Sequence, residues 1–272
     1  MQTKWARAVV CALTMPTALA VLTGCGVVPG SHAGVTVDGT AGPAAVTAKP
    51  SATGSAGSDP AGNGSAPSPS GAKKGCAPGG VDLPSGAATA LTQDLDGDGL
   101  KDTLWMADKG SSRVLGVETA SGARFSTTFS NASPVRANAV GGRLGDGSAI
   151  ILLDFNREAK LYAVTGCKIV PTLNKQGQQY TFDEGYTGYG SGVGCPLIGA
   201  GRRLVGYLAK PGGHGDGYIV TRTLINLSKN GTRADNGPIE EVGRGLPGSD
   251  PVVTKAQEII CADGDRVIEP VN

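Results

Sequence analysis

From about residue 76 onward, apolar residues come in short runs broken by Gly, Asn, Asp or Pro, with little helical spacing. Thr103–Met106, Arg113–Glu118, Arg124–Phe129, Ala149–Phe155, Lys160–Thr165, Lys168–Val170, Arg203–Leu208 and Tyr218–Ile225 are rich in β-branched or aromatic residues. Such runs predict strands. Several are near-continuously apolar, as strands buried on both faces are. One short helix is predicted over Pro251–Ile260. The fold class is therefore all-β.

The spacing of the runs predicts repetition. Asp98-Gly99 precedes the strand at Thr103, Asp146-Gly147 precedes the one at Ala149, and Gly201-Arg202-Arg203 precedes Leu204. The interval is about 50 residues, within the range of propeller-blade repeats. Each unit is a Gly-rich turn, an apolar strand and further strands. Segments Val81–Ala87 and Val252–Val267 are candidates for a fourth unit made by joining the chain ends, which a complete propeller needs.

Residues 26–75 are almost all Gly, Ala, Ser, Pro, Thr and Val, and Ser51–Gly71 holds one charge, Asp59. That composition cannot bury enough apolar surface to offset the entropy of ordering. It predicts a flexible stalk of about 50 residues with a mean reach of roughly 40 Å. Ahead of it, a basic start (Lys4, Arg7) leads into an apolar run from Ala8 to Leu22, the order of a secretory signal. The run is interrupted by Pro16 and is shorter than the roughly 20 residues needed to span a bilayer. It ends in Leu22-Thr23-Gly24-Cys25, which resembles the lipobox of bacterial lipoproteins. The resemblance implies a signal peptide over 1–24, cleavage before Cys25, and acyl chains such as palmitate on Cys25. The lipidated Cys and stalk (25–75) would then tether a domain over 76–272 to the cell membrane, outside the cytoplasm. Several acyl chains anchor stably where one does not.

Cys76, Cys167, Cys195 and Cys261 remain in the mature chain, an even set that suggests two disulfides in an oxidising compartment. Three connectivities are open. Cys76–Cys261 with Cys167–Cys195 is favoured, because the first bond would clasp the two ends of the domain. The absence of Cys-x-x-Cys argues against zinc. Formal net charge is +1 and no Lys/Arg cluster stands out, so nucleic acid is not an expected partner.

One segment carries sharp chemistry: Asp94-Leu-Asp96-Gly-Asp98-Gly99-Leu100-Lys-Asp102. Ca²⁺ takes six to eight oxygen ligands, and alternating Asp residues in a tight loop aim carboxylates at one centre. Gly99 allows the turn, Leu100 can offer its carbonyl, and Asp102 closes the set. Trp105 stands where an EF-hand would place its last Glu, so a helix–loop–helix is excluded. The pattern, followed at once by an apolar strand, resembles the calcium loop of FG-GAP/VCBS repeats, the blades of integrin-type β-propellers. The resemblance covers about Ala87–Phe129. It is weak in the second unit, where Gly142–Gly147 keeps only Asp146, and weaker in the third, where Arg202 and Arg203 stand near the acidic positions. It implies blade-like repeats, a small or incomplete propeller stabilised by disulfides, and a structural Ca²⁺ held by the first unit alone.

Catalytic patterns are scarce. There is no Gly-x-Ser-x-Gly and no His-Glu-x-x-His. Ser70–Lys73 fits Ser-x-x-Lys but lies among Gly and Pro rather than on a helix. His32 falls in the stalk and His214 in a Gly-rich turn. Asp183-Glu184 and Glu240-Glu241 are acid pairs, which usually solvate loops. Tyr186 and Tyr189, on a Gly-rich loop, are candidate contacts for a sugar or a protein. The expectation is a non-catalytic binding or scaffolding module of the cell envelope, with a glycan or protein ligand. The rival is an envelope hydrolase acting on glycan or peptide, which would show converging acids or a base near His214 or Glu184. A third reading is support for a neighbouring membrane complex.

Overall fold

A computed structural model describes residues 75–109, 112–130, 135–184, 190–261 and 264–271. Cys25, the signal and the stalk up to residue 74, Tyr186 and Tyr189 lie outside the described residues. Among those described, no helix is long and apolar enough to cross a membrane.

The first sheet contains β1 (Gly79–Gly80), β2 (Ala88–Leu91), β3 (Thr103–Lys109), β4 (Ser112–Glu118) and β5 (Ala123–Phe129). The strands β2 to β5 form an antiparallel meander, and β1 lies parallel to β5 at its far edge. The second sheet repeats the meander with β6 (Asn138–Arg143), β7 (Ala149–Asp154), β8 (Glu158–Val164) and, on one edge of β8, β9 (Ile169–Pro171) and β10 (Thr181–Asp183). The third contains β11 (Gly190–Gly194). A small hairpin, β12 (Leu197–Ile198) with β13 (Gly201–Arg202), interrupts it before β14 (Val205–Pro211), β15 (Tyr218–Ser228) and β16 (Arg233–Leu246). The repeat expected at about 50 residues is thus real in the architecture: the runs at Thr103, Ala149 and Leu204 begin the second strand of each sheet or immediately precede it.

Burial follows from the two-residue side-chain period of a strand. In β7 all six residues are buried. Ala149, Ile151 and Leu153 face a core shared with the first sheet, including Leu104, Met106, Leu115 and Phe129. Ile150 and Leu152 face a second core shared with the third sheet, including Val193, Leu204 and Ile225. The middle sheet is therefore buried on both faces, which is why its sequence runs apolar without alternation. The remaining face of the first sheet packs Trp105, Ala107 and Val114 under Leu83 and Ala87. On the third sheet Ala209 and Val220 are covered by a short helix, α1 (Pro251–Lys255).

The chain ends do not join into a fourth unit. Val81–Ala87 caps the outer face of the first sheet. The expected helix over Pro251–Ile260 stops at Lys255, started by Asp250, whose carboxylate accepts the Val252 N–H at 2.8 Å. The chain then runs into β17 (Ile259–Ile260), parallel to β11, and β18 (Val267–Ile268), antiparallel to β6. Between them the Asp265 N–H donates to the Leu91 carbonyl at the end of β2, at 3.0 Å. The C-terminal segment thus touches the leading strand of all three meanders and ties them together. Glu269, buried, completes the tie: it accepts both a bidentate pair from Arg113 of β4 and the Ala137 N–H.

This routing corrects the favoured disulfide pairing. The bonds are Cys76–Cys167 and Cys195–Cys261, with Cα separations of 5.8 and 4.7 Å. Gly194 and Ile260 are register partners on β11 and β17, so the next residues, Cys195 and Cys261, meet across neighbouring strands. Cys76 enters beside the first sheet, far along the chain from that pairing, and reaches the turn after β8 instead. The two bonds close loops of 91 and 66 residues and so restrict the unfolded chain, each worth about 2–5 kcal/mol.

Candidate metal centre

The link from β2 to β3 is a loop closed by two backbone hydrogen bonds, Thr92 N–H to the Asp102 carbonyl at 2.8 Å and Asp102 N–H to Gln93 at 3.4 Å. Inside it the acids organise the backbone. Asp94 accepts the N–H groups of Gly97 and Gly99, at 2.5 and 3.0 Å. The Gly99 φ of +94° is the left-handed turn that the Asp-x-Asp-Gly spacing calls for. Asp96 accepts its own loop at Asp98 N–H and, at 2.8 Å, the N–H of Cys76, so the loop is pinned beside the first disulfide. Asp102 is buried and accepts three N–H groups: Leu95 at 2.7 Å, Asp96 at 3.3 Å and Ala120 at 3.0 Å.

One oxygen from each of Asp94, Asp96 and Asp102 lies within 4.8 Å of the others. Asp98 stands outside that group, its Oδ1 accepting the Leu100 N–H at 2.7 Å. The Leu100 side chain is exposed. Burial pushes Asp102 up to about 6, with the neighbouring Asp96 charge adding to it and three backbone N–H groups opposing it. Three carboxylate oxygens are hard ligands, and with water or backbone oxygens they fit the oxygen shell of Ca²⁺.

Sequence reading missed the residue that clasps this loop. Arg143, at the end of β6, donates from Nε to the Asp94 carbonyl at 2.7 Å and from Nη1 to the Gly147 carbonyl at 2.8 Å; its Nη2 stands 3.5 Å from the Asp94 carboxylate. The second turn docks on the third in turn, through Gly145 N–H to the Arg202 carbonyl at 2.9 Å. There the backbones are so close that a Cβ on Gly145 would lie 2.7 Å from the Gly201 Cα. The turn before the second strand of each sheet is therefore bound to the next and, among the described residues, carboxylates gather in the first.

The other acid pairs separate into two kinds. Glu240 is held by Arg222 at 2.7 Å and Glu241 by Arg244, so each is satisfied on its own side of β16. Glu184 lies against Asp154 rather than Asp183 alone. Burial, and then the Asp154 charge, push it up to about 8, with Arg266 opposing. Asp154 is buried at the end of β7, accepts Asn138 Nδ2 at 2.8 Å and has Arg266 at 3.5 Å. His214 falls in a 3-10 turn, Gly213–Gly215.

Compared with known proteins, the chain matches no family model, no curated protein and no solved structure.

Proposed function

We propose that this chain is a cell-envelope lipoprotein, anchored by lipid on Cys25, whose β-repeat domain binds calcium and acts as a non-catalytic binding module. The observation that carries the calcium assignment is the convergence of Asp94, Asp96 and Asp102 within 4.8 Å in a loop whose backbone already orients them. Three negative charges at that spacing repel, and a divalent cation relieves the repulsion. A bound Ca²⁺ would supply positive charge, and Asp94, Asp96 and Asp102 would hold it with their carboxylate oxygens. The residues do the rest: Asp96 carries its order to Cys76, Asp102 to Ala120, and Asp94 toward Arg143. Extracellular calcium is often millimolar, so even a weak site fills. The Cys25 lipobox supports the anchor, and FG-GAP/VCBS likeness of the loop supports a repeat module with a glycan or protein ligand.

The test is thermal melting of the purified full chain across a calcium series. Melting temperature should rise with calcium, saturate, and fall back with chelator; a melting temperature indifferent to both removes the assignment.

The hydrolase reading draws on one observation, the proton-holding Glu184 beside Asp154. Glycosidase carboxyls stand roughly 5–9.5 Å apart, with room for a sugar or water between them. Glu184 instead packs against its partner, which favours a structural role. Glu184→Gln with unchanged glycan turnover would close that reading.

A further inference from the structure

A polar groove opens where the second and third sheets meet, between the β9–β10 connection and the start of β16. We propose that this groove is a binding site for a neutral, hydroxyl-rich saccharide. The proposal rests on the reading of the domain as a non-catalytic binding module and is independent of the calcium loop.

The cavity measures about 400 Å³, within the roughly 300–1,000 Å³ of small-molecule sites. Its walls are joined. Leu173 N–H donates to the Thr232 carbonyl and Ala234 N–H returns to Leu173, both at 3.0 Å, while Thr172 Oγ1 donates to Gly231 at 2.7 Å. A groove fixed in this way loses little entropy when a ligand enters.

Its chemistry selects the ligand class. Amides dominate the lining. The Asn174 Oδ1 is occupied by the N–H groups of Gln176 and Gln178, both at 3.0 Å, which leaves its NH₂ as a donor. Tyr180 donates its hydroxyl to Asn236 Oδ1, which leaves the Asn236 NH₂ as a second donor. Gln178 is exposed, and among the described residues its side-chain amide has no partner, so it offers donor and acceptor together. Sugar hydroxyls also donate and accept at once, so they match amides better than an anion or a hydrocarbon does. The one cation in the groove, Lys175, stands 3.8 Å from Asp235, so little net charge is left to draw an anion. The aromatic wall is Tyr180, held by its hydroxyl and by an edge contact to Phe182 at 5.2 Å between centroids. An immobile ring lining a polar groove suits the C–H face of a pyranose.

Calorimetric titration of the full chain with chitotetraose and, separately, maltotetraose tests this. Saturable binding of either is expected; the first points to an aminosugar glycan, the second to a glucan. Gln178→Ala combined with Asn236→Ala should weaken binding at least about tenfold while the protein still melts in one cooperative transition. Tyr180→Phe, which keeps the ring, should weaken it only a few-fold. Binding of neither sugar, or equal binding by the double variant, overturns the proposal. Groove-dependent binding accompanied by cleavage of the oligosaccharide would support the groove and contradict the non-catalytic reading, so the two fail separately.

Discussion

Two groups of carboxylates crowd together in this domain, and they relieve the crowding in opposite ways. In the loop between β2 and β3, backbone N–H groups hold Asp94, Asp96 and Asp102 in place, and two of the three acids reach solvent. At the ends of β7 and β10, Asp154 and Glu184 pack on each other beneath Arg266 and Asn138. In the loop, three N–H donors oppose the burial that pushes Asp102 up to about 6, and a cation there would oppose it further. In the buried corner, burial and then the Asp154 charge push Glu184 up to about 8. Residue type alone does not separate the two; the depth of burial and the charges beside each group do.

The comparison breaks most visibly at Asp102. Asp102→Ala strands three N–H groups, two of them from the loop itself, and should lower stability by about 3 kcal/mol or more and abolish any calcium response, as read by chemical denaturation with and without calcium. In the other group, Asp154→Ala removes acceptors from Asn138 and Asn156 and a partner from Arg266. It should cost about 2 kcal/mol, with no change in calcium response.

The proton held by Glu184 makes a sharper test. Glu184 moves from an ordinary 4.5 to about 8 on folding, so between those values the folded chain holds a proton that the unfolded chain has released. Stability therefore falls as pH rises from about 4.5 to about 8 and levels off above it. Glu184→Gln, which cannot ionise, should flatten that part of the melting-temperature profile; an unchanged slope would place its origin elsewhere. The smallest effect is expected at Asp98. Among the described residues its carboxylate accepts the Leu100 N–H, so Asp98→Ala should cost less than about 1 kcal/mol and leave calcium affinity close to wild type, whereas Asp96→Ala should not.

Much of this architecture was legible in the chain. Strands with dense β-branched runs, such as Ala149–Phe155, and the turn-to-strand repeat were readable because burial on both faces dictates their composition. The strands that escaped were Gly-rich or one-sided. β6 and β11 hold glycines where a neighbouring strand or side chain approaches closely; at Gly192 a Cβ would lie 2.5 Å from the Glu258 carbonyl. β16 is an edge strand with many exposed positions, so it tolerates Pro238 and its charges and resembles a loop. The acidic loop was readable because its carboxylates are local in sequence. Arg143, the Glu269–Arg113 tie and the disulfide pairing depend on contacts between distant segments, and no local pattern encodes them. The same holds for the amide groove, whose walls come from residues 174–181 and 234–236.

The most direct test of the calcium-braced loop is the amount of calcium that stays with the full chain after equilibrium dialysis at about 1 mM, a typical extracellular level. The account predicts one ion per wild-type chain, and none in Asp94→Asn combined with Asp96→Asn, which deletes two charges and keeps one of the two acceptor oxygens at each position. No bound calcium in the wild type, or the same amount in both proteins, would contradict it.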